Sequence, residues 1–276
     1  MLAPISGLFS HASVVVWAGY TADMSHIEAL LQLLDDPDPE VHATLLNRLS
    51  RDAELLSQAW SFASERENPP TALTELVLRQ DAEALIDVFA EAEHLEAGVW
   101  LLPRIDIPRR DYRTQGTRAL DELAERIGHG ADPWSVARFL CDDCGFTGAR
   151  QDYDDPLNSL LSSVLERRVG LPISMTVLWV LVCRRLDLPC EPIAIPGHVV
   201  GRWSGGYIDL FDHGRRIVRE DLDQRMQAVG EISASPYLAP ASDRALLRRM
   251  ARNLVHAYVQ RNDRLRATIA HGLATA

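Results

Sequence analysis

The chain has 276 residues, of which 47% are hydrophobic and 24% charged, a size and balance that allow a sizeable core and exclude a disordered chain. A formal net charge of −11 excludes recognition of a phosphate backbone, which takes clustered positive charge to displace counterions, so no nucleic-acid partner is expected. All 28 basic residues are arginine, so no side-chain amine is available for a Schiff base or as the acceptor of an isopeptide bond.

Residues 1–23 contain one short apolar run, Ser13–Ala18. It falls well below the ~20 residues needed to span a bilayer, and no positive charge precedes it as in a secretory signal. Neither membrane nor secretory targeting is expected. Met24 makes a natural start, with residues 1–23 as a flexible tail or an upstream extension of the reading frame. From there Ile27–Leu34, an Asp-Pro turn at Asp35–Pro39 and Val41–Leu49 read as two amphipathic helices resembling a HEAT-type unit. Short helices follow at Ala53–Ala63, Leu73–Leu78, Ala82–His94 and Ala97–Leu101, with Trp60, Phe89 and Trp100 as packing anchors. One such unit cannot bury its own apolar face, so residues 24–103 are expected to form a helical lobe packed on something else. Leu102–Pro108, with two prolines, reads as an extended linker.

A core over residues 104–230 comes next. Tyr112–Ile127 is a helix, Asp132-Pro133 caps another at Trp134–Cys141, and an acid-rich loop, Asp152–Asn158, precedes helix Ser159–Arg167. Ile173–Leu186 is apolar on nearly every face, which marks a central buried helix, with Pro172 at its first turn and Arg184-Arg185 at its negative end. Strands are predicted at Cys190–Ile195, His198–Trp203 and Tyr207–Phe211, with a fourth at Arg215–Val218; Pro196-Gly197, Ser204–Gly206 and Asp212–Gly214 supply the turns. After a short helix at Val218–Met226, residues 231–276 form a C-terminal pair, Asp243–Gln260 and Asp263–Leu273.

A helix opening with Gly170-Leu171-Pro172, a Leu188-Pro189 exit, Pro196-Gly197-His198 on one strand and Tyr207-Ile208-Asp209-Leu210-Phe211 on the next resemble the transglutaminase-like superfamily. The run from Tyr153 to Ser174, the Phe146-Thr147-Gly148 segment and the pattern Arg248-Arg249-x-x-x-Asn253-Leu254-x-x-x-Tyr258 resemble its SirB-type branch. The resemblance implies an α+β fold, mostly helical: HEAT-like helices, a papain-like core with a small antiparallel sheet, then C-terminal helices.

Catalytic members place a Cys at the start of the central helix and a His and an Asp on the adjacent strands. The helix terminus lowers the thiol pKa, and the His–Asp pair holds the proton acceptor. Counted back from Leu188-Pro189, the nucleophile position falls on Pro172, whose ring cannot attack. Cys183 lies roughly 16 Å along the same helix at 1.5 Å per residue, and Cys190 about 15 Å from His198 at 3.3 Å per residue. Ser174 in the first turn either bonds a free backbone N–H or serves as a nucleophile. His198 and Asp209 then form two members of a triad, or an acid simply orienting a His inside a small cleft. Asp155, Asn158, Arg168 and Pro172 flank the same helix start. They either line the cleft or act structurally, Asp155 or Asn158 as a cap and Arg168 as the ion partner of Asp209 or another buried acid.

Cys141-Asp142-Asp143-Cys144 has metal-ligand spacing, but structural zinc wants a second pair, so no metal and no cofactor are expected. Four cysteines without a secretory signal suit a reducing, cytoplasmic setting. The resulting expectation is a non-catalytic, protein- or peptide-binding or regulatory module. The alternative is a hydrolase or acyl transferase using Ser174, His198 and Asp209.

Overall fold

Short polar side chains cap the starts of six of the twelve α-helices among the described residues. In this computed structural model, which describes residues 24–34, 36–66 and 68–276, Asp38 accepts from Glu40 N ahead of Pro39, Asp52 from Leu55 N, Asp111 from Arg113 N and Thr114 N, Asp132 from Ser135 N, Ser242 from Ala245 N and Asp263 from Arg266 N. Each satisfies an orphan donor of a first turn and contributes about 1 kcal/mol. The predicted tail at residues 1–23 lies outside the described residues.

The chain divides into two compact units, one ending at Leu85 and including Arg104–Arg110, the other Ile86–Pro103 with Asp111–Ala276. The first holds α1 (Met24–Leu33), α2 (Pro39–Arg51), α3 (Ala53–Ala63) and most of α4 (Thr71–Ala90). Its core gathers Leu31, Leu49, Leu56, Ala59, Trp60, Leu73 and Val77. The Trp60 indole donates to Pro108 O at 3.1 Å, and Arg109 grips Asp81 with two bonds of 2.6 and 2.8 Å.

Two sequence expectations fail here. The helices predicted at Leu73–Leu78 and Ala82–His94 are one 20-residue α4, because Arg79-Gln80-Asp81 contains no Gly or Pro to stop it. Nor is Leu102–Pro108 an extended linker: Leu102–Ile105 is a 3-10 turn with Leu102 and Ile105 fully buried.

The second unit adds α5 (Leu95–Val99), α6 (Tyr112–Ile127) and α7 (Pro133–Arg138), which runs into a π turn at Phe139–Asp143. Then come β1 (Thr147–Gly148), a 3-10 turn at Pro156–Asn158, α8 (Leu161–Arg167), β2 (Val169–Gly170) and α9 (Pro172–Arg185). Strands β3 (Glu191–Ile195), β4 (His198–Trp203), β5 (Gly206–Asp209) and β6 (Arg215–Ile217) precede α10 (Arg219–Ala228), α11 (Asp243–Gln260) and α12 (Arg264–Thr275). β1 and β2, which the sequence reading missed, pair in parallel over two residues, while β3-β4-β5-β6 form an antiparallel meander. The fold is α+β and mostly helical.

Helix α9 is the axis of this unit, with every side chain from Pro172 to Cys183 buried. Its Trp179 donates to Pro133 O at 2.7 Å, and β4 lies so close that a Cβ on Gly201 would stand 2.5 Å from the same indole. At its C-terminal end Arg184 forks onto Asp243 at 2.8 and 2.6 Å, and Arg185 reaches Glu96 and Asp121. Positive charge at that end is also favoured by the helix dipole.

Candidate functional site

Pro196-Gly197 closes the β3–β4 hairpin with Gly197 at φ 71°, a backbone region that favours glycine, and so sets His198 opposite Ile195. Tyr207 pairs with Arg202 in β4–β5. Side chains alternate between faces, so His198, Val200, Arg202, Tyr207 and Asp209 share one face of the sheet. Helix α10 covers it, with Leu222 and Met226 packed among Ile193, Ile195, Val200 and Ile217.

Beneath this cover Asp209 is fully buried. Its Oδ1 meets His198 Nε2 at 3.0 Å and accepts from Phe211 N and Asp212 N at 3.2 and 3.3 Å; its Oδ2 takes Arg225 Nη2 at 2.5 Å. Burial raises the carboxyl pKa, but the His198 hydrogen bond and charge, the Arg225 charge and the Asp212 N–H outweigh it and hold the group below its ordinary value. His198 Nδ1 bonds no described residue. Phe211 stands edge-on to the imidazole at 5.9 Å between centroids and to Tyr153 at 6.2 Å, with Arg150 over its ring.

The hydroxyl of Thr176 links strand β4 to the start of α9, lying 2.8 Å from Pro172 O and 3.2 Å from Val199 O, to either of which it can give its one proton. Pro172 therefore sits at the helix terminus beside the strand that begins with His198. Ser174, fully buried, receives Leu171 N–H at 2.8 Å, approaches Asn158 O at 2.6 Å and Leu171 O at 3.2 Å, and makes no hydrogen bond to His198. A hydroxyl so placed closes the first turn of the helix.

Asp155 accepts from Leu157 N, capping the 3-10 turn, and pairs with Arg167 and Arg261. Asn158 lends its carbonyl to α9 while its side chain ties down Asp152 O and Tyr153 O at 2.8 and 3.3 Å. The pairing of Arg168 with Asp209 is not found; Arg225 fills that place, because α10 rather than the α8–α9 turn lies over the carboxylate. Thr176 escaped the sequence reading, while Phe211 and Tyr153 entered it only as motif residues, with no place beside His198. For Arg225 a signal existed, since Leu222 and Met226 at i, i+4 define the inward face of α10 and put Arg225 beside it.

None of the four thiols makes a hydrogen bond to the imidazole. Cys141 lies within 3.9 Å of Leu210 O, and burial, with Asp142 nearby, pushes its pKa up to about 12, the opposite of an activated nucleophile. Burial likewise raises Cys144 and also Cys183, which lies beside Cys190. Among the described residues no group of three or more His, Cys, Asp or Glu is placed to hold a metal ion, and no helix is long and apolar enough to cross a membrane.

A buried helix packed on an antiparallel sheet whose neighbouring strands carry a hydrogen-bonded His–Asp pair has the make-up of a transglutaminase-like core. The chain belongs to that family: a family model described as the transglutaminase-like superfamily matches residues 112–252, just over half of the sequence. A UPF0162 protein of Xylella fastidiosa is 37% identical over 138 residues, covering 46% of this chain and 49% of the relative. A UPF0162 protein of Pseudomonas aeruginosa is 32% identical over 153 residues, 50% of this chain and 55% of its own. F-box only protein 21 of Mus musculus is 32% identical over 128 residues, 42% of this chain but 20% of that protein. The match thus spans about half the length of these bacterial relatives and a fifth of the mammalian one. No solved structure matches.

Proposed function

We propose that this chain is a non-catalytic transglutaminase-like module, binding or regulatory in role, whose cleft beside His198 holds a peptide segment of a protein partner. The observation that carries the reading is Pro172 at the helix start, where catalytic members present a thiol. The surroundings agree with it. Ser174 is committed to the backbone of Leu171 and Asn158, and the Cys141 thiol is held protonated. Asp209 is ion-paired with Arg225 and hydrogen-bonded to His198. What remains is an oriented imidazole next to the Phe211 ring, which in turn meets Tyr153, a surface suited to packing and hydrogen bonding. The match to F-box only protein 21 covers a fifth of that longer protein, as expected where such a domain is one working part of a larger chain.

The test treats the folded full-length chain with a fluorophosphonate and with iodoacetamide, separately, and follows intact mass and adduct position. No stoichiometric adduct on Ser174 is expected, and cysteine alkylation runs at the same rate in wild type and His198→Ala. A stoichiometric Ser174 adduct, or alkylation of any cysteine that depends on His198, overturns the reading in favour of a hydrolase or acyl transferase.

A further inference from the structure

In the part of the fold around His198 most arginines have acids. Arg225 takes Asp209, Arg150 takes Asp212, and Arg167 and Arg261 share Asp155. Arg249 does not. It is half-buried on α11, and its one hydrogen bond among the described residues runs from Nη1 to Ile195 O at 2.9 Å. No carboxylate of the described residues pairs with it. Ile195 is the residue directly opposite His198 in the hairpin, so that bond fixes the guanidinium at the strand end where the imidazole begins. Tyr153 and Arg252 lie within electrostatic reach, and burial first, then the like charge of Arg252, make the Arg249 cation harder to hold. Arg252 itself is exposed and also unpaired among the described residues.

Withdrawing a guanidinium from water without an acid, and setting a second one beside it, is unfavourable in the free protein. The cost is offset when an anion arrives. Arg249 is built for a planar one: a guanidinium carries five N–H donors, one is spent on Ile195 O, and the rest form a fork that matches a carboxylate. On the far side, Tyr153 packs on Phe211, which packs on His198, giving an apolar wall for the chain that bears the anion.

We infer that the mouth of this cleft is a carboxylate-recognition subsite, in which Arg249, supported by Arg252, pairs with an acidic side chain or the C-terminal carboxylate of a bound peptide. This rests on the peptide-binding reading above and adds to it the chemistry of the ligand. A singly charged carboxylate suits the site better than a dianionic phosphate, because the molecule as a whole carries −11 and repels a doubly charged group more strongly.

The probe is an immobilised array of random heptapeptides, each made in four forms: with Asp and Glu or with Asn and Gln in their place, and with a free or amidated C-terminus. Full-length wild type, Arg249→Gln, Arg249→Lys and Tyr153→Ala are applied to it, with thermal unfolding of each as the folding control. Retention of carboxylate-bearing forms over their amide twins is expected, with a loss of about tenfold or more in Arg249→Gln and partial recovery in Arg249→Lys. Dependence on the C-terminal form assigns the α-carboxylate, and dependence on Asp and Glu a side chain. Retention that is indifferent to both substitutions in the peptide, or a folded Arg249→Gln that binds like wild type, overturns this inference. If Tyr153→Ala still weakens that binding, the peptide-binding reading stands. Absence of retention of any form overturns both.

Discussion

Asp209 is the residue on which the His198 pair depends. A fully buried carboxylate is costly unless its lone pairs are occupied, and here an imidazole, a guanidinium and two backbone N–H groups occupy them. Asp209→Asn removes the charge and leaves Arg225 facing a neutral amide, so a loss of about 3 kcal/mol in unfolding free energy is expected, measured by urea denaturation at neutral pH. The pH dependence has a definite sign. The folded-state pKa lies below the unfolded value of 3.8, so the stabilisation is complete above that value and disappears as pH falls through the folded one. The gap between wild type and Asp209→Asn therefore narrows as pH falls below about 4; a gap that widens below that value would falsify the assignment. At this scale the sequence was legible where a motif carried chemistry: His198 and Asp209 came from the resemblance to the transglutaminase-like superfamily. Arg225 was not, because ion pairing across 16 residues depends on how α10 lies on the sheet, and no local pattern states that. Arg168, which flanks the start of the central helix, was offered instead as the partner of Asp209 or of another buried acid.

Helix α9 and strand β4 show what element-level reasoning reads well and where it stops. Apolar residues on all faces identified the buried helix, and the Pro-Gly turn identified the hairpin; β4 and α11 fall at the predicted bounds, His198–Trp203 and Asp243–Gln260. Contact between the two elements was hidden, because nothing in Val-Val-Gly-Arg-Trp says that Gly201 is where the Trp179 indole presses on the sheet. A methyl group there would stand 2.5 Å from the Trp179 ring, and that ring is anchored by its bond to Pro133 O. Gly201→Ala is expected to cost about 2 kcal/mol through overpacking, read from chemical denaturation, with Trp179→Phe in the same chain relieving part of it. Continuity of α4 and the 3-10 turn after Val99 were missed for a related reason. Predicted breaks were placed at polar triplets and prolines, whereas buried Leu102 and Ile105 show that packing of apolar side chains overrode those signals.

For the whole molecule, the net charge of −11 and the unpaired Arg249 act on an acidic peptide with opposite signs at different distances. Far from the surface the peptide meets the summed field, which repels it. In contact it meets a half-desolvated guanidinium, which attracts it. Salt separates the two, because the Debye length shrinks from about 30 Å at 0.01 M to about 10 Å at 0.1 M. Screening then removes the long-range repulsion while leaving the partly buried contact comparatively unaffected. Association of a Glu-bearing heptapeptide, followed by stopped-flow or surface plasmon resonance, should accordingly speed up by about two- to fivefold as ionic strength rises through that range. Its dissociation rate should change less than about twofold. A protein steered by a positive patch behaves the other way, with association slowing in salt. That outcome would mean that the arginines of α11 dominate the approach, and that the overall acidity of the chain has no bearing on what the cleft admits.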